Sequence, residues 1–321
     1  IGIIFLAIII IIVTAILTGY FYLNSKLSQM KQVNIDENNL NVATQVEEKL
    51  TGYRNIALFG VDSRDSDLGE GNRSDCIIIA SINNDTKEIN LVSVYRDTYV
   101  DIDGYGLDKI THAYSYGGPE LAVKTLNKNL DLNIKEFVTV NFDAVADAVD
   151  ALGGVTIDSP YEFTTLHGHY HINKGINQMD GDKALCFVRE RYALPSGDFD
   201  RGRNQQRLLK AMINKAVSPK IITNYSNILQ AVEGCFETNM SSEDIKSLVQ
   251  TQLDDMSKWK MYNVQLTGDP EISYKTYSMK GKKCYTMKPN KKSLNGIINV
   301  INKIEDGKRI TDQDVKGLQG A

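Results

Sequence analysis

Eight of the chain's ten arginines lie in two short zones. Arg64, Arg73 and Arg96 occupy the first, and Arg189, Arg191, Arg201, Arg203 and Arg207 the second. Lysines are spread along the chain and are densest after Arg207. A guanidinium's planar fork binds phosphate oxygens bidentately and stays charged at any accessible pH, whereas lysine is an interchangeable surface cation. Segregated arginine therefore points to phosphate chemistry. The alternative is two surface patches salt-bridged to Asp65, Asp97, Glu190 and Asp200. Two carboxylates, Asp62 and Asp75, flank one loop, each with an arginine (Arg64, Arg73) two positions away. Hard cations such as Mg²⁺ take one or two carboxylates together with phosphate oxygens, so acid and arginine mixed in this way suit a metal–diphosphate site.

The elements around these residues give them an address. NIALFGV reads as a short buried strand running into Gly60 and Asp62, and ligands of open α/β sheets sit beyond the carboxyl ends of strands. CIIIASI and INLVSVY read as a hairpin joined by Asn83-Asn84-Asp85, which delivers Arg96 and Asp97 at its end. Lys109 and His112 follow in a loop rich in glycine and tyrosine, where a lone histidine is more often structural than catalytic. PELAVKTLNKNL has helical spacing with Pro119 at a permitted first-turn position. EFVTVNF reads as a strand, FDAVADAVDAL as a helix ended by Gly153-Gly154, VTID as a strand and residues 180–188 as a helix. RGRNQQRLLKAMINKAV predicts an amphipathic helix broken at Pro219, with Arg201 and Gln205 on one face and Asp198 and Asp200 at its start. Anions prefer helix N-termini, and arginines there add charge-assisted bonds. Ser241 and Asp244 form a capping-box signal for a helix to about Met256. Strands are expected near KMYNVQLT and ISYKTYSM, then a helix over NGIINVINKI. Strands interleaved with helices predict a layered α/β/α domain around a mixed sheet.

Composition bounds the setting. Before Lys26 the chain carries no charge and is dominated by isoleucine. Ile1 to Leu23 as a helix spans about 34 Å against a bilayer core of about 30 Å, with Tyr20, Phe21 and Tyr22 where an aromatic belt belongs. A retained transmembrane anchor over 1–25 is expected rather than a cleaved signal peptide, whose apolar run is shorter. A polar stalk over 26–51 follows, then the folded domain over 52–310 and a flexible tail over 311–321. A formal net charge of −4 argues against a nucleic-acid partner. Four cysteines without CxxC spacing exclude zinc ribbons and thioredoxin chemistry. Cys76 and Cys186 read as buried small hydrophobes, whereas a Cys235–Cys284 disulfide is open if the domain is extracytoplasmic.

GVDSR, GNRSD, VYRDT, DKITHAYSYGG, ALCFVRER and GDFDRGRNQQR, taken as a set from about Asn55 to Ala216, resemble the LytR-CpsA-Psr family of cell-wall glycopolymer transferases. The resemblance implies a single-pass, outward-facing enzyme of the Gram-positive envelope. Such an enzyme moves a phosphoglycan (teichoic acid, capsule or a similar wall polymer) from an undecaprenyl-diphosphate carrier to peptidoglycan, with Mg²⁺ or Mn²⁺. By the same resemblance Asp62 and Asp75 hold the metal. Arg64, Arg73, Arg96, Lys109, Arg189, Arg191, Arg201 and Gln205 line the diphosphate. Arg96, Asp97 and Asp198 are the catalytic candidates, with Asp97 or Asp198 as general base. The chain departs from the family at Asn204, where arginine is frequent, and Arg203 or Arg207 is a candidate to compensate. ALCFV with Cys186 is a second departure. His167, His169 and His171 alternate, so on a strand they share one face and raise a zinc site as an alternative to a solvent-facing strand. An apolar groove for the lipid is expected beside PELAVKTLNKNL and FDAVADAVDAL. A polyprenyl-diphosphate-binding regulator and a lipid-diphosphate hydrolase are the competing functions.

Overall fold

The computed structural model describes residues 31–36, 39–41, 52–63, 68–216, 236–241, 243–245 and 259–319. Its frame is a seven-stranded mixed sheet. At its centre β2 (Tyr53–Val61) pairs antiparallel with β3 (Ser74–Asn83), which pairs antiparallel with β4 (Glu88–Ser93). On the other side of β2 lies β7 (Glu136–Asn141), parallel to it, followed by β12 (Phe236–Thr238) and β1 (Lys31–Gln32). The strand β13 (Lys260–Gln265) runs parallel to β4 at the far edge.

The period-two pattern of the strands builds two faces. Ala57, Phe59, Val61, Ile77, Ile79 and Val92 pack with α1 (Ile110–Leu130) and α5 (Lys291–Glu305) in the largest core cluster. Ile78, Ala80, Ile89 and Leu91 point the other way, toward Leu209 of α4 (Asp198–Ala216) and toward Trp259 and Met261. A second, smaller core forms where α2 (Phe142–Ala151), α3 (Gly181–Arg189) and α4 meet β8 (Val155–Ser159) and β11 (Gly175–Met179). Small antiparallel pairs complete the fold: β5 (Tyr99–Ile102) with β6 (Gly106–Lys109), β9 (Phe163–Thr164) with β10 (His171–Ile172), and β14 (Gly268–Ser273) with β15 (Cys284–Pro289).

The layered α/β reading holds, and local chemistry explains the boundaries. At the β3–β4 turn Asp85 and Thr86 donate their amides to Asn83 Oδ1, both at 2.9 Å, and Lys87 takes a left-handed φ of 56°. Asn141 caps α2 by accepting from the Ala144 amide at 2.7 Å. Pro119 opens a helical segment as expected, but α1 already begins at Ile110 and kinks at Gly117 and Gly118, the latter with φ 60°. Lys109 and His112 therefore sit at a strand end and on a helix, not in a loop. Strand character near ISYKTYSM ends at Ser273, a short 3₁₀ turn covers Tyr277–Met279, and the sequence reading has no counterpart for β15.

Two terminal readings are corrected. Within the expected stalk, Gln32 and its neighbours join the sheet edge and Leu40 is fully buried in the main core. The expected flexible tail contains α6 (Asp312–Val315), with Val315 and Leu318 buried and the Leu318 carbonyl accepting from the Gln265 amide at 2.7 Å. Ser241 does accept from the Asp244 amide at 3.1 Å, and residues 243–245 are helical. The rest of that helix, the Pro219 break, the anchor over 1–25, Arg64 and Cys235 lie outside the described residues. Cys284 is a buried free thiol, whereas Cys76 and Cys186 are half-buried.

Candidate functional site

Topology brings the first arginine zone to one end of the sheet. Because β2 and β3 are antiparallel, Asp62 leaves β2 where Asp75 enters β3, and β4 returns to the same end with Arg96. The register shifts between Gly60 and Val61, and Gly60 is required there. A Cβ on it would stand 2.8 Å from the Cys76 Cβ and 3.3 Å from the Phe142 ring. Arg96 Nη1 lies 2.6 Å from Asp75 Oδ1. The turn carrying Arg96 is held by Thr98 Oγ1 donating to the Tyr95 carbonyl at 2.6 Å and by Tyr95 Oη donating to Gln265 at 2.9 Å.

The second zone arrives on α3 and α4. Arg189, the last residue of α3, lies over the Phe142 ring at 5.5 Å and reaches Asp62 Oδ2 at 3.4 Å. Glu190 then organises the connection. Its carboxylate accepts from the amides of Leu166, Arg191, Tyr192 and Ala193. Burial opposes ionisation there, but those four amides outweigh it and hold the carboxyl below the usual range. Arg191 lies over the Tyr192 ring at 4.5 Å. Asp198 Oδ1 stands 3.8 Å from Arg191 and 3.5 Å from Arg201.

Asp62, Asp75, Arg96, Arg189, Arg191, Arg201 and Gln205 converge on one cavity of about 240 Å³. Four guanidiniums face two carboxylates, an excess suited to a diphosphate. Lys109 pairs with Asp97 at 2.7 Å, and both stand beside the cavity, not in its wall. Arg73 is exposed at the start of β3. Phe142, His167, Val188 and Tyr192 complete the lining. Only His167 among these carries a signal in the sequence, because the other three reach the cavity through tertiary packing. His169 turns with φ 50° and only His171 lies on a strand, so the three imidazoles do not share a face. Among the described residues no group of three or more His, Cys, Asp or Glu is placed to hold a metal ion, so the zinc reading has no ligand set there.

Neither candidate for compensation at Asn204 reaches this cavity. Arg203 and Arg207 line a separate cleft of about 670 Å³ with Lys260, Tyr262 and Lys316. Asn204 is itself buried, bonded to the Phe187 carbonyl at 3.5 Å and accepting from Arg207 at 2.8 Å. Its side chain is spent on packing α4 against α3, and the cavity keeps the four guanidiniums already named.

The donor set fits a hard cation. Burial pushes the Asp75 carboxyl above its ordinary range, against the pull of Arg96 and Arg201 and with a further push from Asp62. Asp75 Oδ1 is buried without a hydrogen bond, its approach to Arg96 being an ion pair only. A divalent cation shared with Asp62 would satisfy that oxygen, with phosphate oxygens supplying the remaining ligands.

The chain belongs to the LytR_cpsA_psr family, whose profile matches residues 17–293. It is 34% identical over 252 residues to a polyisoprenyl-teichoic acid–peptidoglycan teichoic acid transferase TagU of Bacillus cereus (strain AH820), covering 78% of this chain and 80% of that one. A TagU of Oceanobacillus iheyensis is 38% identical over 201 residues, and the match spans 61% of each chain. Among solved structures, B. subtilis TagV superposes with a TM-score of 0.67 at 26% identity, covering 79% of this chain and 98% of that one. TagT bound to LI-WTA gives 0.66 at 26% identity, covering 85% and 94%.

Proposed function

We propose that this protein transfers a phosphoglycan from a polyprenyl-diphosphate carrier to peptidoglycan. The observation that carries the reading is the convergence of four arginines, Gln205 and two carboxylates on one cavity at the sheet end. The acceptor hydroxyl attacks the glycan-side phosphorus, the phosphoanhydride bond breaks, and polyprenyl phosphate leaves. Arg96, Arg189, Arg191 and Arg201 stabilise the charge that develops on the phosphate oxygens. Asp62 and Asp75 would hold Mg²⁺ or Mn²⁺, which supplies Lewis-acid neutralisation of the diphosphate. Asp198 is favoured over Asp97 as the proton acceptor. Its Oδ1 is buried without a hydrogen bond between two cavity arginines, whereas Asp97 is held by Lys109.

The lipid requires an apolar wall. Ala122, Val123 and Leu126 of α1 are at most 2% exposed in the closed core, whereas α2, the other helix expected beside the groove, gives Phe142 to the cavity wall. Among the described residues no helix is long and apolar enough to cross a membrane. The apolar run Ile1–Leu23 is the proposed anchor, with the domain extracytoplasmic. Incubation of the full chain with lipid-diphosphate-linked glycan, Mg²⁺ and peptidoglycan oligomer tests the reading. Glycan on the oligomer supports transfer, free glycan phosphate indicates a hydrolase, and binding without turnover indicates a regulator.

A further inference from the structure

Among the described residues, five of the nine exposed large hydrophobic side chains belong to the β14–β15 hairpin: Ile272, Tyr274, Tyr277, Met279 and Tyr285. Ile272 stands directly across from Tyr285 in the antiparallel register, so the two side chains share a face, and exposed Tyr274 follows one residue past the end of β14. The hairpin is fixed at its root and near its tip. At the root the Met287 amide donates to the Asp97 carbonyl at 2.9 Å, and Thr98 bridges to Met287. Near the tip Ser278 donates its amide and its hydroxyl to Asp108, both at 2.9 Å, and the Tyr277 ring stands edge-on to Tyr105 at 5.2 Å. Exposed rings on so anchored a support lose little freedom on binding.

The root of the row lies at the Asp97 turn, beside the cavity. Tyr285 lies two residues from the contact with the Asp97 turn, and its phenol is raised first by burial and then by Asp97 and Asp198. On the cavity wall, Tyr192 is 70% exposed. Lys275, Lys280, Lys282, Lys283 and Lys288 are exposed around the rings, and only Asp269 and Glu271 oppose them on the same hairpin. A strand of amino sugars presents apolar C–H faces for stacking on tyrosine, and its peptide stems carry carboxylates that complement lysine.

We infer that the outer face of the β14–β15 hairpin, with Ile272, Tyr274 and Tyr285, is the acceptor subsite, a floor for the sugar rings of an uncrosslinked peptidoglycan strand. The inference rests on the transferase reading and adds to it where the acceptor lies. A membrane surface would also attract tyrosine and lysine. The ring row, however, is tied at its root to the Asp97 turn beside the cavity, the side from which an acceptor hydroxyl can arrive.

The test titrates the full chain in detergent with a soluble, uncrosslinked peptidoglycan oligomer bearing its stems. Binding of a polyprenyl-diphosphate analogue is measured in parallel. The wild type binds the oligomer saturably. Tyr274→Ala combined with Tyr285→Ala weakens that binding about tenfold, the two lost stacking contacts taken together, while Tyr285→Phe stays within about twofold because the ring remains. Unchanged oligomer affinity in the double variant overturns the inference. So does a double variant that loses only its binding to anionic phospholipid vesicles. A wild type that binds the diphosphate analogue but no oligomer sinks the acceptor subsite alone. One that binds oligomer but no diphosphate sinks the transferase reading, and the acceptor assignment with it.

Discussion

Asp75 shows what a single residue can reveal before its neighbours are known. Its place just before an apolar strand, two positions from Arg73, marks it as a ligand candidate in the sequence. Its buried oxygen, with only the Arg96 ion pair beside it, becomes visible only when β2, β3 and the Arg96 turn are assembled. Arg96, Arg189, Arg191, Arg201 and Gln205 are legible in the same way, because strand ends and a helix start give arginine an address. Phe142 and Tyr192 are not, since nothing local separates an aromatic at a cavity wall from one in a core. For Asp75→Asn we expect turnover to fall about a hundredfold or more with the fold intact. The accompanying measurement is the melting temperature with and without Mg²⁺. Ligand binding to the native state raises it in the wild type, and the variant should lose most of that shift. An equal shift in both proteins would remove Asp75 from the proposed metal site.

At the scale of elements, α4 carries two cationic faces that the sequence presents as one cluster. Arg201 and Gln205, four residues apart, turn to the cavity at the sheet end. Arg203, Arg207 and Lys210 turn to the other cleft, and Arg203 pairs at 2.7 Å with Asp200, which is 1% exposed. Helical geometry separates positions 201 and 203 by about 200°, so density of charge along the chain says nothing about which face it serves. Arg201→Ala should weaken donor binding about tenfold or more through lost charge-assisted bonds and change stability little. Arg203→Ala leaves a buried carboxylate without its cationic partner, at a cost of about 3 kcal/mol in stability, with donor affinity of the folded protein retained. Urea unfolding beside donor titration separates the two; equal loss of donor affinity would merge the faces again. The long apolar strands and amphipathic helices are readable by period. The first turns of α1 are not, because Lys109, His112 and Tyr116 are placed there by polar contacts with Asp97 and Asp108.

Across the whole molecule, the parts least legible in the sequence are those that close the fold around the site. The segment around Leu40, the C-terminal α6 and the β14–β15 hairpin each bury too few apolar residues to announce themselves, and each is stable only against a surface made elsewhere. Asp108 is the junction for the hairpin. Fully buried, it accepts from the Lys109 amide at 2.8 Å, from Tyr116 Oη at 2.8 Å and from Ser278, with His112 Nδ1 3.0 Å away. Burial opposes its ionisation, but the bonds from His112, Tyr116 and the Lys109 amide outweigh it, holding the carboxyl well below the usual range. A depressed folded-state value contributes stability that is complete above the ordinary carboxylate value, near 3.8, and is lost as pH falls below it. Asp108→Asn turns an amide N–H₂ toward groups that are themselves donors. It should cost about 2–3 kcal/mol at neutral pH and flatten the acid limb of the stability profile. Hydrogen exchange should quicken first at Ser278 and along the hairpin, while the β2–β3–β4 centre of the sheet stays protected. Wild-type and variant stability curves running parallel from about pH 5 down to about pH 2 would show that Asp108 is not the residue that ties this hairpin to the fold.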